Sequence, residues 1–411
     1  MTPHSATPVA NSREAILEAT ERLILRDGID GIRAKSLADE AGLSIAAPYH
    51  YFESLDAVVE ATYLRFHASA DPKREAALRA AGDDPISQLH AVLAADFDCG
   101  DDDPRSTWLL RLEFQRRAIF DARLQRSVRD GEQAVLDRLA RIVRVGQRTG
   151  AIPTTVEAPM IAARLLSLSC GLGTLLLVEL ITPADAVELL AAAIDDRADW
   201  RHAISDPVVP SASPSRDPQP SRSTEILDTT IALIADAGVA GVHFNAVAER
   251  AGCSLTLPRY YFPTIRKLVD AAFARDLEIA QARLGVMLDA ESTPLDRLAH
   301  IYVPRDSAQL AARRSTFVMW VEYLGLGEHD PVARASASAR LQGFIDFSWA
   351  LGRDLADAGV VSADRATLVR AKRLVAVNTG AAGLWLLGVL TDGEFAAVMN
   401  GTIDDEVALG G

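Results

Sequence analysis

Gly28–Val59 reads GIDGIRAKSLADEAGLSIAAPYHYFESLDAVV, and Gly238–Val269 reads GVAGVHFNAVAERAGCSLTLPRYYFPTIRKLV. Each stretch follows a segment with helical apolar spacing: Ile16, Ala19, Thr20, Leu23 and Ile24 in the first, Ile226, Thr230, Leu233 and Ile234 in the second. Gly28 and Gly238 suit a left-handed helix end. A short second helix is predicted over Arg33–Glu40 and His243–Arg250, with Leu37/Val247 and Ala38/Ala248 facing inward. Ala41-Gly42-Leu43 and Ala251-Gly252-Cys253 then make the tight turn of a helix-turn-helix: glycine permits positive φ, and alanine lets two helices approach closely. Ser44 and Ser254 are the expected N-caps of a third helix, which carries Tyr49-His50-Tyr51-Phe52 or Arg259-Tyr260-Tyr261-Phe262. A fourth helix is expected from about Ser54 or Thr264.

The two stretches are copies. At an offset of 210, Ile16–Phe66 lies on Ile226–Asp276 without a gap, and 17 of the 51 positions are identical. Unrelated segments of this composition would share about four. The echo continues at an offset of 209. Thr107, Glu113 and Phe114 meet Thr316, Glu322 and Tyr323, and Gly150, Arg164, Leu165 and Gly171 meet Gly359, Arg373, Leu374 and Gly380. The repeated unit is therefore about 200 residues, a whole domain. Between the copies, Ser205–Arg222 holds five prolines and five serines in 18 residues, the composition of an extended linker.

The Ala-Gly-x-Ser turn, followed eight residues after the glycine by aromatics ending in Tyr-Phe, resembles the DNA-binding domain of TetR/AcrR-family bacterial transcription regulators. The resemblance occurs twice and extends over nearly the whole chain, though only the two head segments carry the sharp pattern. It implies an all-α fold of two tandem units related by a pseudo-two-fold axis. The expected boundaries are a first head over 12–66, a first ligand and dimerisation domain over 67–204, a linker over 205–221, a second head over 222–276 and a second helical domain over 277–405. It also implies that the last two long helices of each unit, within Ala158–Arg201 and Ala363–Met399, pair as a four-helix bundle inside one chain. The small-residue runs Ser167–Gly171 and Asn378–Gly383 suit that close approach. Three departures stand out. Pro48 and Pro258 occupy a position where the family usually has a branched apolar residue, so the third helix must start late or bend. Leu55 and Ile265 stand where the family often has lysine. Arg33 and His243 replace a usual Ser or Thr, which implies a lost N-cap.

The 411 residues are 49% apolar and 24% charged, which excludes a mainly disordered chain. With 42 Lys and Arg against 56 Asp and Glu, the formal charge is −14, so any contact with nucleic acid must come from local patches. Residues 12–66 carry six basic and ten acidic side chains, and residues 222–276 carry six of each. The expected DNA contacts are Arg33, Lys35, Ser44, Tyr49 and His50 in the first head. In the second they are His243, Asn245, Ser254, Arg259, Tyr260, Arg266 and Lys267. Arg259 suits guanine in a major groove, and the others suit phosphate or base edges. Phe52 and Phe262 are expected in the core. Since Tyr49-His50 faces Arg259-Tyr260 in the repeat, the two heads should read different half-sites of one double-stranded operator.

The resemblance implies a small-molecule effector, with Trp108, Phe114, Trp320 and Tyr323 as candidate contacts and Glu113, Gln115, Glu322 and His329 as polar neighbours. The same aromatics also fit plain core. The residues do not identify the ligand. No HExxH, nucleophile elbow, P-loop or dinucleotide fingerprint occurs, so neither catalysis nor a cofactor is expected. Cys99, Cys170 and Cys253 form no CxxC pair; no disulfide framework or metal site is expected, and a reducing cytoplasm is. The uncharged stretch Leu165–Val178 is too short to span a bilayer and reads as a buried helix, so no membrane partner is expected. The low charge of the first head and the two prolines keep an alternative open: a related protein whose heads are degenerate and which binds a ligand or a protein instead.

Overall fold

The computed structural model describes residues 9–98, 103–195, 221–289, 293–304, 306–361 and 367–407, and among them every regular element is helical. The first half runs α1 (Val9–Asp27), a 3-10 turn (Ile29–Gly31), α2 (Ala34–Ala41), α3 (Ala47–Tyr51), α4 (Leu55–Ala81), α5 (Pro85–Ala94), α6 (Pro104–Ala118), α7 (Ala122–Thr149), α8 (Ala158–Leu177) and α9 (Pro183–Asp195). The second half repeats that order. It runs α10 (Arg222–Ala237), a 3-10 turn (Val239–Gly241), α11 (Phe244–Arg250), α12 (Thr256–Tyr261), α13 (Ile265–Asp289), α14 (Pro294–Tyr302), α15 (Ser307–His329), α16 (Pro331–Asp357), α17 (Leu368–Leu386) and α18 (Asp392–Val407). The expected linker at 205–221 lies outside the described residues apart from Ser221, which caps α10 by accepting from the Thr224 amide.

Local chemistry explains where the helices begin. Ser54 accepts from the Ala57 amide at 3.1 Å to open α4, and Thr264 accepts from Lys267 at 3.2 Å to open α13. Asp121 and Asp330, matched in the repeat, cap α7 and α16 in the same way, each accepting two amides of the first turn. The third helix of each head departs from expectation. Ser44 and Ser254 do not cap it. It begins at Ala47 or Thr256, which brings Pro48 into the first turn, where a proline costs no hydrogen bond. Ser254 instead shares a hydroxyl–hydroxyl contact of 3.0 Å with Thr256. The predicted loss of the α11 cap is also corrected. The Nδ1 atom of His243 accepts from the Ala246 amide at 3.0 Å, so an imidazole does the work of a serine. At Arg33 the cap is partial, with its own amide donating to the Ser36 hydroxyl at 3.0 Å.

The two halves meet most closely where α8 lies against α17, with α9 and α18 flanking. This matches the expected pairing of the last long helices. A Cβ on Gly171 would lie 1.7 Å from the carbonyl oxygen of Ala376, and a Cβ on Gly380 would lie 1.9 Å from that of Ser167. Gly171 and Gly380 are repeat partners, as are Ser167 and Ala376, so the two contacts occupy equivalent positions of the sequence repeat. α8 is long and apolar enough to cross a membrane, but 83% of its apolar window is buried inside the protein. Its hydrophobicity is accounted for by that packing.

Candidate nucleic-acid interface

Each head is a small three-helix core carried on a long fourth helix. In the first, Ile16, Leu23 and Ile24 of α1 pack on Leu37 of α2, Phe52 and Val58. In the second, Ile226 and Ile234 pack on Val242, Val247, Leu268 and Val269, with Met319 of α15 closing the floor. Gly42 and Gly252 take φ of 67° and 60°, the left-handed turn that α2–α3 and α11–α12 require. Phe52 is buried and Phe262 is half-buried, as expected of core residues.

The side chains left outside this core gather on α2–α3 and α11–α12. Tyr49 is 51% exposed and Tyr260 80% exposed, and His50, Arg259, Lys35 and Asn245 are exposed as well, as is Lys267 at the start of α13. Arg259 lies over the Phe244 ring at 5.1 Å, and Tyr260 packs edge-on against Tyr261. Two predicted contacts are engaged elsewhere. The guanidinium of Arg33 donates to the carbonyls of Asp30 and Ile32 at 2.7 and 2.8 Å. Arg266 is ion-paired with Asp270 at 2.8 Å and with Asp330. Ser44 and Ser254 remain exposed at the turn, and His243 is exposed with Nδ1 committed to its cap. Ile45 and Leu255, 56% and 42% exposed, sit in the same turns and were not singled out from the sequence. Their repeat pairing as apolar residues just after the serine is the signal that could have found them.

The heads are tied to the bodies by a buried charged cluster that sequence reading missed. Gly28 and Gly238 adopt φ of 72° and 70°, which turns the chain from α1 or α10 into its 3-10 turn. The next amide in each case donates to a buried glutamate: Ile29 to Glu113 at 2.8 Å, and Val239 to Glu322 at 2.5 Å. Arg116 joins both carboxylates, reaching Glu113 at 3.1 Å and Glu322 at 3.1 Å, with Asp30 at 2.7 Å. Burial raises the carboxyl pKa of Glu322, and Arg116 and the Val239 amide offset only part of that. Burial also opposes the charge on Arg116, but Glu113, Glu322 and Asp30 outweigh it and hold the guanidinium firmly protonated.

The proposed ligand contacts lie in packed interior. Trp108 and Phe114 are buried, Trp320 is 7% exposed, and Tyr323 is half-buried against Phe273. Trp108 donates to the Asp96 carbonyl at 3.1 Å and lies under Arg111. Arg111 pairs with Glu132 at 2.5 Å and reaches the Cys170 sulfur at 3.3 Å, and Arg74 pairs with Asp96 at 2.8 Å. At the positions matched to Arg111 and Glu132 the second half carries buried Trp320 and Leu341. Of the expected polar neighbours, Gln115 reaches Glu132 at 3.4 Å, whereas Glu113 and Glu322 belong to the head cluster. Among the described residues there is no group of His, Cys, Asp and Glu arranged to hold a metal.

Among the described residues the protein is all-helical, with two helix-turn-helix heads carried on long helical bodies. Residues 16–62 match the family of bacterial regulatory proteins of the tetR type, and residues 85–199 match the C-terminal domain of BetI-type transcriptional repressors. These two segments of the first half are thus similar to TetR-family regulators. The chain is 39% identical over 89 residues to the HTH-type transcriptional regulator BetI of Burkholderia cenocepacia, covering 21% of this chain and 44% of that protein. To BetI of Burkholderia ambifaria it is 34% identical over 119 residues, covering 28% and 58%. The chain thus spans about half the length of the curated relatives it matches. A solved structure of a putative TetR-family transcriptional regulator from Rhodococcus sp. is 25% identical, covering 46% of this chain and 98% of that one, with a TM-score of 0.41.

Proposed function

We propose that this chain is a cytoplasmic, non-enzymatic transcriptional regulator, acting as a repressor, that grips double-stranded operator DNA with both of its heads as a single-chain pseudo-dimer. One observation carries the reading. Tyr49-His50 and Arg259-Tyr260 stand exposed at matched positions of matched helices, on heads whose cores are otherwise alike. Phosphate contacts from Lys35, Asn245 and Lys267 would set register, and Arg259 and Tyr49 would read base edges. Because the reading residues differ, the operator is asymmetric, unlike the palindrome a homodimer demands. The heads are 12–66 and 222–276, and the bodies 67–204 and 277–405 respond to a small-molecule effector.

A titration of the purified chain on duplexes drawn from binding selection tests this. One chain should bind one duplex with strong salt dependence. Arg259→Ala and Tyr49→Ala should each weaken binding by about 5- to 150-fold, the range of about 1–3 kcal/mol per good base contact. A selected palindrome would overturn the asymmetric operator. A second reading, with the first head structural, is favoured by the engaged guanidinium of Arg33 and by the acidity of that head. Loss of binding from Arg259→Ala alone, with Tyr49→Ala silent, would select it.

A further inference from the structure

Helices α6 and α15 touch at the junction of the two halves, and each carries the glutamate that holds its own head. The bracing also crosses between halves. A Cβ on Gly28 would meet Glu113 and also His329 of the second half, each at 3.2 Å. A Cβ on Gly238 would meet Glu322 and also Phe120 of the first half, each at 3.0 Å. His329 and Phe120 are repeat partners, so each head's entry turn is wedged between its own glutamate and a ring from the other half. Arg116 then closes the circuit by binding both glutamates and Asp30. Room for it comes from Gly325, its repeat partner on α15, where a Cβ would lie 2.7 Å from the Arg116 side chain.

We infer that Arg116 is a positioning residue that fixes the two heads relative to each other, through one guanidinium shared by the two glutamates that hold their entry turns. The physical basis is the cost of an incomplete buried ion cluster. Glu113 and Glu322 are each 1% exposed, and a carboxylate so placed is tolerated only while its hydrogen bonds and its cation stay in place. Any rotation of one head about its glycine turn pulls the amide off its carboxylate. That strains the guanidinium holding the other. The heads therefore move together or not at all, and their separation is narrow. The inference rests on the proposed reading only in its DNA arm; the rigid coupling itself is a property of the free protein.

The test measures the head-to-head distance directly. Spin labels on Lys35→Cys and Asn245→Cys, exposed and matched in the repeat, are placed in a chain with Cys99 and Cys253 changed to serine, while Cys170 is buried. The parent should give one narrow distance distribution. Arg116→Met should broaden and shift it with helical content unchanged, and Arg116→Lys should restore part of the narrowing. If Arg116→Met does not fold, Glu322→Gln, which keeps the acceptor for Val239 but weakens the tie to Arg116, should give a smaller broadening. A distribution that stays as narrow as the parent in a folded Arg116→Met or Glu322→Gln chain overturns the inference. Unlabelled Arg116→Met is then titrated on duplexes with varied half-site spacing, where its preference for one spacing should fall about tenfold. If the parent binds no duplex while the distance result holds, the DNA reading fails and the coupling stands.

Discussion

The contact between α8 and α17 makes a sharp demand on two atoms. Replacing Gly171 by alanine places a methyl carbon 1.7 Å from the Ala376 carbonyl oxygen, 2.3 Å from its carbonyl carbon and 2.7 Å from its Cα. Ordinary contact needs more than 3 Å, so the helices must separate by more than an ångström, and the obstacle is backbone that no rotamer change relieves. Overpacking of a tight core costs about 1–3 kcal/mol, and a backbone obstacle belongs at the upper end. For units of about 200 residues, each kcal/mol lowers the melting temperature by about 2–4 °C, which gives a drop of about 6–12 °C. Gly343→Ala supplies the control. It lies within α16 with nothing inside 4 Å of the added carbon, and alanine there should stabilise by about 0.5–1 kcal/mol. Circular dichroism melts of both variants and the parent, at equal concentration, decide the matter. The matching contact of Gly380, whose added Cβ would lie 1.9 Å from the Ser167 carbonyl oxygen, adds a requirement that Gly380→Ala behave like Gly171→Ala. A Gly171→Ala chain melting within a degree of the parent would refute the packing described here.

Other outcomes follow from single groups. His243→Ala removes the acceptor for the Ala246 amide and should cost about 1 kcal/mol, seen as a lower melting temperature that His243→Ser restores. Asp330 has a carboxyl pKa below the usual range, because the Val332 amide, and then the Ala333 amide and Arg266, favour its charged form. Its contribution is therefore complete above the ordinary aspartate range and is lost as pH falls through the depressed folded value. Asp330→Asn keeps a capping oxygen and should flatten the acid limb of melting temperature against pH. Burial pushes the Cys170 thiol up to about 12, while Cys253 is half-buried in the turn of the second head. In a Cys99→Ser chain at mildly alkaline pH, a thiol reagent should modify Cys253 in the folded protein and Cys170 only after unfolding.

Much of the fold could be read from the residues because the chain states it twice. The paired glycines, the Ala-Gly-x-Ser turn and the helical spacing of Ile16 to Ile24 each specify local backbone, and local backbone is what sequence encodes most directly. The pairing of α8 with α17 came from the family resemblance; the runs of small residues suit close approach but do not name the partner helix. The late start of α3 was half legible. Pro48 required either a shifted start or a bend, and only the surrounding turn chooses between them. The His243 cap was missed because imidazole is a rare acceptor at that position, where an oxygen is expected. The Glu113–Arg116–Glu322 cluster was missed for a deeper reason. Glu113 and Glu322 showed up as a repeated pair, but their partners are amides 84 and 83 residues away and one guanidinium, three residues from Glu113 yet in the opposite half from Glu322. A carboxylate that recurs within an apolar helix face was the available sign that it is buried and paired.

The Arg116–Gly325 pair has a consequence in arithmetic. Two identical chains about a two-fold axis must place every side chain near that axis an even number of times. With arginine at this position, two guanidiniums would compete for the space that Gly325 leaves for one; with glycine, both glutamates would lack their cation. One polypeptide carrying both halves escapes that parity rule and can put an odd number of charges at its centre. Here the central cluster holds a single arginine, an arrangement that no symmetric assembly of identical chains can build.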